Sequence, residues 1–126
     1  MRIQANRISF ISACELSAIT HGHPTGFLSA GFFASVIADL AAGLDLMDSI
    51  LKAREILLSY KDHEETLKAV DHALDLYHRC SRENLVPGPA MVESLGEGWV
   101  AEDLHVQVKG DCYISDKEWW AKYPGY

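Results

Sequence analysis

Residues 26 to 44, GFLSAGFFASVIADLAAGL, carry one charge, Asp39, and otherwise consist of bulky apolar residues and the small residues Gly, Ala and Ser. A helix that is apolar on most faces has to be enclosed, by protein or by lipid. The length would permit a membrane span. An Asp near the end of a small-residue helix and the absence of flanking Lys or Arg instead suit enclosure by protein. We therefore expect the central helix of a bundle. Pro24 fits its first turn, where the missing N–H would have no partner anyway, and Gly43 can end it in a left-handed cap, which places the helix at about residues 24 to 42. Ala30, Ala34, Ala38 and Ala41 or Ala42 form a small-residue stripe that would let a neighbouring backbone approach, while Leu28, Phe32, Val36 and Leu40 form a bulky one.

The flanking segments keep the helical rhythm. Ile8, Ile11, Cys14 or Glu15, Ala18 and Ile19 predict a first helix, stopped by His-Gly-His-Pro at residues 21 to 24. Asp45 or Asp48 supplies a polar start for a third, with Leu46, Ile50, Ala53 and Leu57 on one face and Lys52, Arg54 and Glu55 opposite. Asp62 and Glu65 have capping-box spacing ahead of a fourth helix, whose Leu67, Val70, Leu74 and Tyr77 line one face as far as about Arg82. Residues 84 to 89 include Pro-Gly-Pro and read as a loop, followed by a short helix at residues 91 to 95. From His105 the character changes. Val106 and Val108 alternate with polar residues, and Tyr113, Trp119, Trp120, Tyr123 and Tyr126 crowd a short stretch that reads as a strand fragment or an irregular tail.

At 126 residues the chain suits one domain, and 48% hydrophobic residues can build an interior. The net charge of −7 argues against a nucleic-acid or membrane-surface partner, because a broad basic face is missing. Cys14, Cys80 and Cys112 are odd in number and widely spaced, which suggests reduced thiols and a cytoplasmic setting. The first ten residues do not read as a signal peptide.

His21 and His23 form an HxH pair that could contribute to a metal site only with further ligands from elsewhere; a turn histidine or a ligand contact is the favoured reading. His63, His72 and His78 suit a solvated helix face. Gly96 and Gly98 in Leu-Gly-Glu-Gly-Trp lack the preceding strand and third glycine of a dinucleotide turn, and close backbone packing accounts for them. Neither GxSxG nor a paired Cys and His indicates a nucleophilic hydrolase.

Three stretches taken together resemble the ADP-ribosylglycohydrolase family: AITHGHPTGFLSAG at 18 to 31, HEETL at 63 to 67 and ESLGEGWVAE at 93 to 102. The resemblance covers about residues 1 to 103, corresponds to the middle of a larger family domain, and implies a chain cut at both ends. It also implies an all-α fold and hydrolysis of the bond joining ADP-ribose to an acceptor, with two magnesium ions held by carboxylates. Those carboxylates come from a Gly-Asp near the family's N-terminus, a Thr-Asp-Asp-Thr motif, and an Asp-x-Asp-Ser/Thr motif near the C-terminus. None of the three stands at its place here, so no metal role is carried onto Asp111 or Asp116, and no catalytic or metal-binding residue is assigned. His21 matches the family's Thr-His position at the wall of the ADP-ribose cleft, and Gly98 and Trp99 match a segment near the nucleotide, where an aromatic face can stack on adenine.

The expectation is thus an all-α helical bundle fragment of the ADP-ribosylglycohydrolase fold, comprising residues 1 to 104, with a divergent tail at 105 to 126. His21, Gly98 and Trp99 are its candidate substrate-binding residues, and ADP-ribose or an ADP-ribosylated protein its candidate partner. The chain is expected to be inactive alone and to carry no cofactor, magnesium belonging to the complete family domain. Two alternatives stand beside this, a self-associating helical interaction module and one half of a split hydrolase completed by another chain.

Overall fold

A computed structural model describes residues 2–95, which form five helices: α1 (Arg2–Ala18), α2 (Pro24–Ala41), α3 (Leu46–Leu58), α4 (Glu64–Glu83) and α5 (Pro89–Glu93). The fold is all-α, with no strand among the described residues. As expected, α2 sits centrally, contacting α1, α3 and α4, and buries more residues than any other described helix. It is also the described helix long and apolar enough to cross a membrane. In this fold it supplies the core, with Ser35 and Asp39 buried on the side that meets its neighbours.

The tightest contact is between α1 and α2. A Cβ added at Gly31 would stand 2.8 Å from the Phe10 ring and would collide with the Cys14 sulfur. Glycine there is a packing requirement, and it lets Phe10 lie fully buried among Leu28, Ile56 and Leu57. Burial of each such large side chain contributes about 1.5–3 kcal/mol. Tyr60, at the end of α3, stacks on Phe10 with centroids 4.9 Å apart. Burial pushes the Cys14 thiol up to about 11, so it stays protonated and serves as a packing residue. Further along the same contact, Asn6 Nδ2 donates to Asp39 Oδ2 at 2.9 Å, with both side chains buried.

This contact corrects the expected phase of α1. Asn6, Phe10 and Cys14 face inward, whereas Ile8, Ile11 and Ile19 are exposed. The close approach on α2 comes from Gly31 and Ser35, and the alanine stripe is half-buried or exposed. Of the bulky stripe, Leu28 and Val36 are buried and Phe32 and Leu40 half-buried.

The helix ends follow local chemistry. Gly43, at φ 90°, makes the left-handed turn that ends α2. Asp45 caps α3, its Oδ1 accepting from the Asp48 N–H at 2.9 Å. The expected capping box at Asp62 does not form: Asp62 sits at φ 58°, the residue preceding α4 is His63, and Glu65 bonds elsewhere. His63 is half-buried, with Nδ1 2.6 Å from the Tyr60 carbonyl. Asn84 closes α4 in the left-handed conformation. The last helix starts at Pro89, two residues ahead of the expected start, because proline suits a first-turn position.

Two predictions follow from this packing. Gly31→Ala is expected to destabilise the chain by about 1–3 kcal/mol, since overpacking against Phe10 and Cys14 outweighs the better helix propensity of alanine; a lower urea midpoint at unchanged slope is the result to look for. Arg54 holds Asp71 in a two-pronged pair, Nε–Oδ1 at 2.7 Å and Nη2–Oδ2 at 3.0 Å, and its hydrogen bonds lower the carboxyl pKa below 3.8. A carboxyl whose folded pKa is depressed stabilises above its unfolded value and loses that contribution as pH falls through the folded one. Both side chains are partly exposed, so Asp71→Asn is expected to cost less than about 1 kcal/mol at neutral pH. That difference should vanish in unfolding measurements made well below the ordinary carboxylate range.

Candidate functional site

The site is built from the turn between α1 and α2. Its backbone is held by Ser17, whose carbonyl accepts from the N–H of Thr20 at 3.1 Å and of His21 at 2.8 Å. Thr20 Oγ1 lies 2.9 Å from His21 Nδ1, which fixes one edge of the imidazole while the residue as a whole stays exposed. Gly26, in the first turn of α2, is the surface on which His21 rests: an added Cβ would come within 3.1 Å of the His21 Cβ. The turn is therefore pinned from below and open above.

His23 does different work. It is the N-cap of α2, and its Nδ1 accepts from the Thr25 N–H at 3.3 Å. An accepting Nδ1 leaves the proton of the neutral ring on Nε2. The two histidines of the HxH pair are thus already engaged with Thr20 and Thr25, and no group of three His, Cys, Asp or Glu side chains able to hold a metal occurs among the described residues.

Sequence reasoning missed the residues that anchor this turn. Thr25, almost fully buried, donates its hydroxyl proton to Glu65 Oε2 at 2.6 Å, tying the first turn of α2 to the first turn of α4. A carboxylate at this end of α2 also complements the positive end of the helix dipole. The signal was available: Thr25 lies in the first of the three recognised stretches and Glu65 in the second. Gly98 and Trp99, the other two candidate residues, lie outside the described residues. An open groove of about 740 Å³ on α4, with His72, Asp75, Arg79 and Arg82 among its lining, does not include His21.

A family model described as ADP-ribosylglycohydrolase matches residues 4–113, most of the chain and all of the turn just described. The chain belongs to the ADP-ribosylglycohydrolase family. No curated protein and no solved structure matches it significantly. For an ADP-ribosylglycohydrolase, the described carboxylates are dispersed. Asp39 pairs with Asn6, Asp45 caps α3, Glu65 holds Thr25 and Asp71 holds Arg54. A magnesium ion requires several oxygen ligands converging in near-octahedral geometry. These residues do not fit the pair of ions that the family resemblance implies.

Thr25→Val removes the hydroxyl and leaves Glu65 without its partner. Hydrogen bonds to charged groups contribute about 1.5–3 kcal/mol, and because Glu65 is itself exposed the lower part of that range is expected. Chemical denaturation of the variant beside Glu65→Gln, which keeps an acceptor oxygen, checks this: the glutamine variant should lose less.

Proposed function

We propose that this chain supplies one wall of an ADP-ribose cleft, through the His21 turn, and does not by itself hydrolyse an ADP-ribosyl bond. The observation that supports the binding role is the His21 side chain, held against Gly26 and Thr20 and exposed to solvent, within the segment that the family model matches. A ring held in this way can contact a ligand without first losing rotamer freedom, which is the advantage of a positioned group. Gly98 and Trp99 are proposed to add a nucleotide contact, the indole stacking on the adenine face. The proposed ligands are ADP-ribose or an ADP-ribosylated protein, and the proposed setting is the cytoplasm.

Hydrolysis of a glycosidic bond requires an activated water and stabilisation of the developing charge. Neither the Thr-Asp-Asp-Thr nor the Asp-x-Asp-Ser/Thr motif occurs in these 126 residues. A complementing polypeptide that carries both would complete the site, as in a split enzyme. A second reading, a self-associating helical module, draws on the outer face of α2, where Phe33 is 65% exposed and Ile37 is also exposed.

Release of ADP-ribose from ADP-ribosyl-arginine, measured on the purified chain with Mg²⁺ and with a chelator control, tests the proposal. No release is expected. Adding a polypeptide with the two acidic motifs should restore Mg²⁺-dependent turnover, and His21→Ala should weaken that restored activity. Turnover by the chain alone that the chelator abolishes would overturn the proposal.

A further inference from the structure

Glu65, in the first turn of α4, holds the start of α2 through one of its two carboxylate oxygens. Its Oε2 accepts from the Thr25 hydroxyl at 2.6 Å, and Thr25 is 1% exposed, so the carboxylate is fixed against a buried anchor. Glu65 itself is exposed. Among the described residues its Oε1 takes no hydrogen bond, and neither oxygen pairs with a Lys or Arg. An ionised carboxylate only accepts, and each of its oxygens carries two lone pairs. Oε1 is therefore an unfilled acceptor on a carboxylate that the fold already holds in place.

A donor is held at the same anchor. His23 Nδ1 accepts from the Thr25 N–H at 3.3 Å, which leaves the proton of the neutral ring on Nε2, and His23 is exposed. Thr25 thus gathers an acceptor through its hydroxyl and a ring donor through its backbone. Among the described residues no third His, Cys, Asp or Glu joins the two in a group able to hold a metal. The pair suits hydroxyls instead. Each hydroxyl has one proton to donate and lone pairs with which to accept, so two hydroxyls on neighbouring carbons can meet the carboxylate and the imidazole together. Dinucleotide-binding folds hold a ribose by the same means, a carboxylate that accepts from a hydroxyl of the sugar.

We propose that Glu65 and His23 form a subsite for the vicinal diol of a ribose, with Glu65 Oε1 accepting from one hydroxyl and His23 Nε2 donating to its neighbour. The inference rests on the ADP-ribose reading of the His21 turn and adds to it two contact residues and the chemical group they take. ADP-ribose carries two riboses, one on the adenine side of the diphosphate and one beyond it. The diol is common to both.

The test is a titration of the full chain, labelled with ¹⁵N, followed by NMR. ADP-ribose is expected to move the His21 and His23 ring signals, and Glu65→Gln to weaken its binding by about tenfold. The sign is informative, because removing a negative charge near an anionic ligand would by itself tighten binding. ADP and ribose 5-phosphate, which carry one ribose each, show which of the two sugars occupies the subsite. The probe that moves the His23 signal should bind about tenfold more tightly than its 2-deoxy counterpart. Unchanged or tighter binding by folded Glu65→Gln, or deoxy probes that bind as well as their parents, would overturn the inference. His23→Ser keeps a capping hydroxyl and removes the ring donor; it decides the matter if Glu65→Gln fails to fold, and unchanged affinity in it counts against the subsite. Binding that His21→Ala weakens and Glu65→Gln does not would overturn this inference alone, whereas no binding of ADP-ribose would overturn the reading of the His21 turn with it.

Discussion

The missing side chain at Gly31 sets the spacing on which the other contacts depend. With no Cβ there, the Phe10 ring and the Cys14 sulfur lie directly on the α2 backbone. Phe10 can then reach across to Leu28, Ile56 and Leu57 and stack on Tyr60, joining α1, α2 and α3 in one core. At interior packing densities a single methyl group is felt, so the separation of α1 and α2 is fixed closely at this point. The short turn between them inherits that precision, and with it the position of His21.

The turn is held by polar contacts that each serve a different backbone or side-chain need. The Ser17 carbonyl, one of those left over at the end of α1, receives the N–H groups of Thr20 and His21, the His23 ring receives one at the start of α2, and Gly26 makes room for the His21 side chain. Thr25 and Glu65 connect this arrangement to α4, 40 residues further along the chain. A helix N-terminus that is both capped and tied to a carboxylate has little freedom to fray. That stiffness leaves two exposed imidazoles, His21 and His23, on a fixed backbone, each held through its Nδ1.

The helix positions were legible because their boundaries are written in local chemistry. Pro24, Gly43 and Asp45 act on the backbone within a residue or two of themselves, and the structure uses each of them as its residue type suggests. The buried faces were less legible. Ile8, Ile11 and Ile19 are more apolar than Asn6 and Cys14, yet the latter pair faces inward with Phe10, because Gly31 and Asp39 on the partner helix decide which side of α1 can approach. Periodicity in one helix carries no information about a glycine in another. The capping box failed for a similar reason: Glu65 has the right spacing from Asp62, but the hydroxyl of a buried threonine in α2 is the partner it takes. Of the candidate site, the His21 turn was read from the sequence, whereas its support by Thr25 and Glu65 required the packing of α2 against α4.

Abundant acidic residues do not in themselves converge on one point, and the described part of this chain shows why. Asp and Glu number 18 against 11 Lys and Arg, a surplus that could suggest a cation site. The described carboxylates with identified partners are used singly, each meeting one need of the scaffold: Asp39 an amide, Asp45 a helix end, Glu65 a hydroxyl, Asp71 a guanidinium. A site that activates water needs carboxylates whose lone pairs converge on one point and stay unsatisfied by protein donors until the ion arrives. The carboxylates just named do the reverse, lowering their own energy in separate pairs. What the described part of the chain shows of its family's fold is therefore a helical scaffold in which these four carboxylates each hold another part of the scaffold, and in which the turn carrying His21 is fixed between α1 and α2.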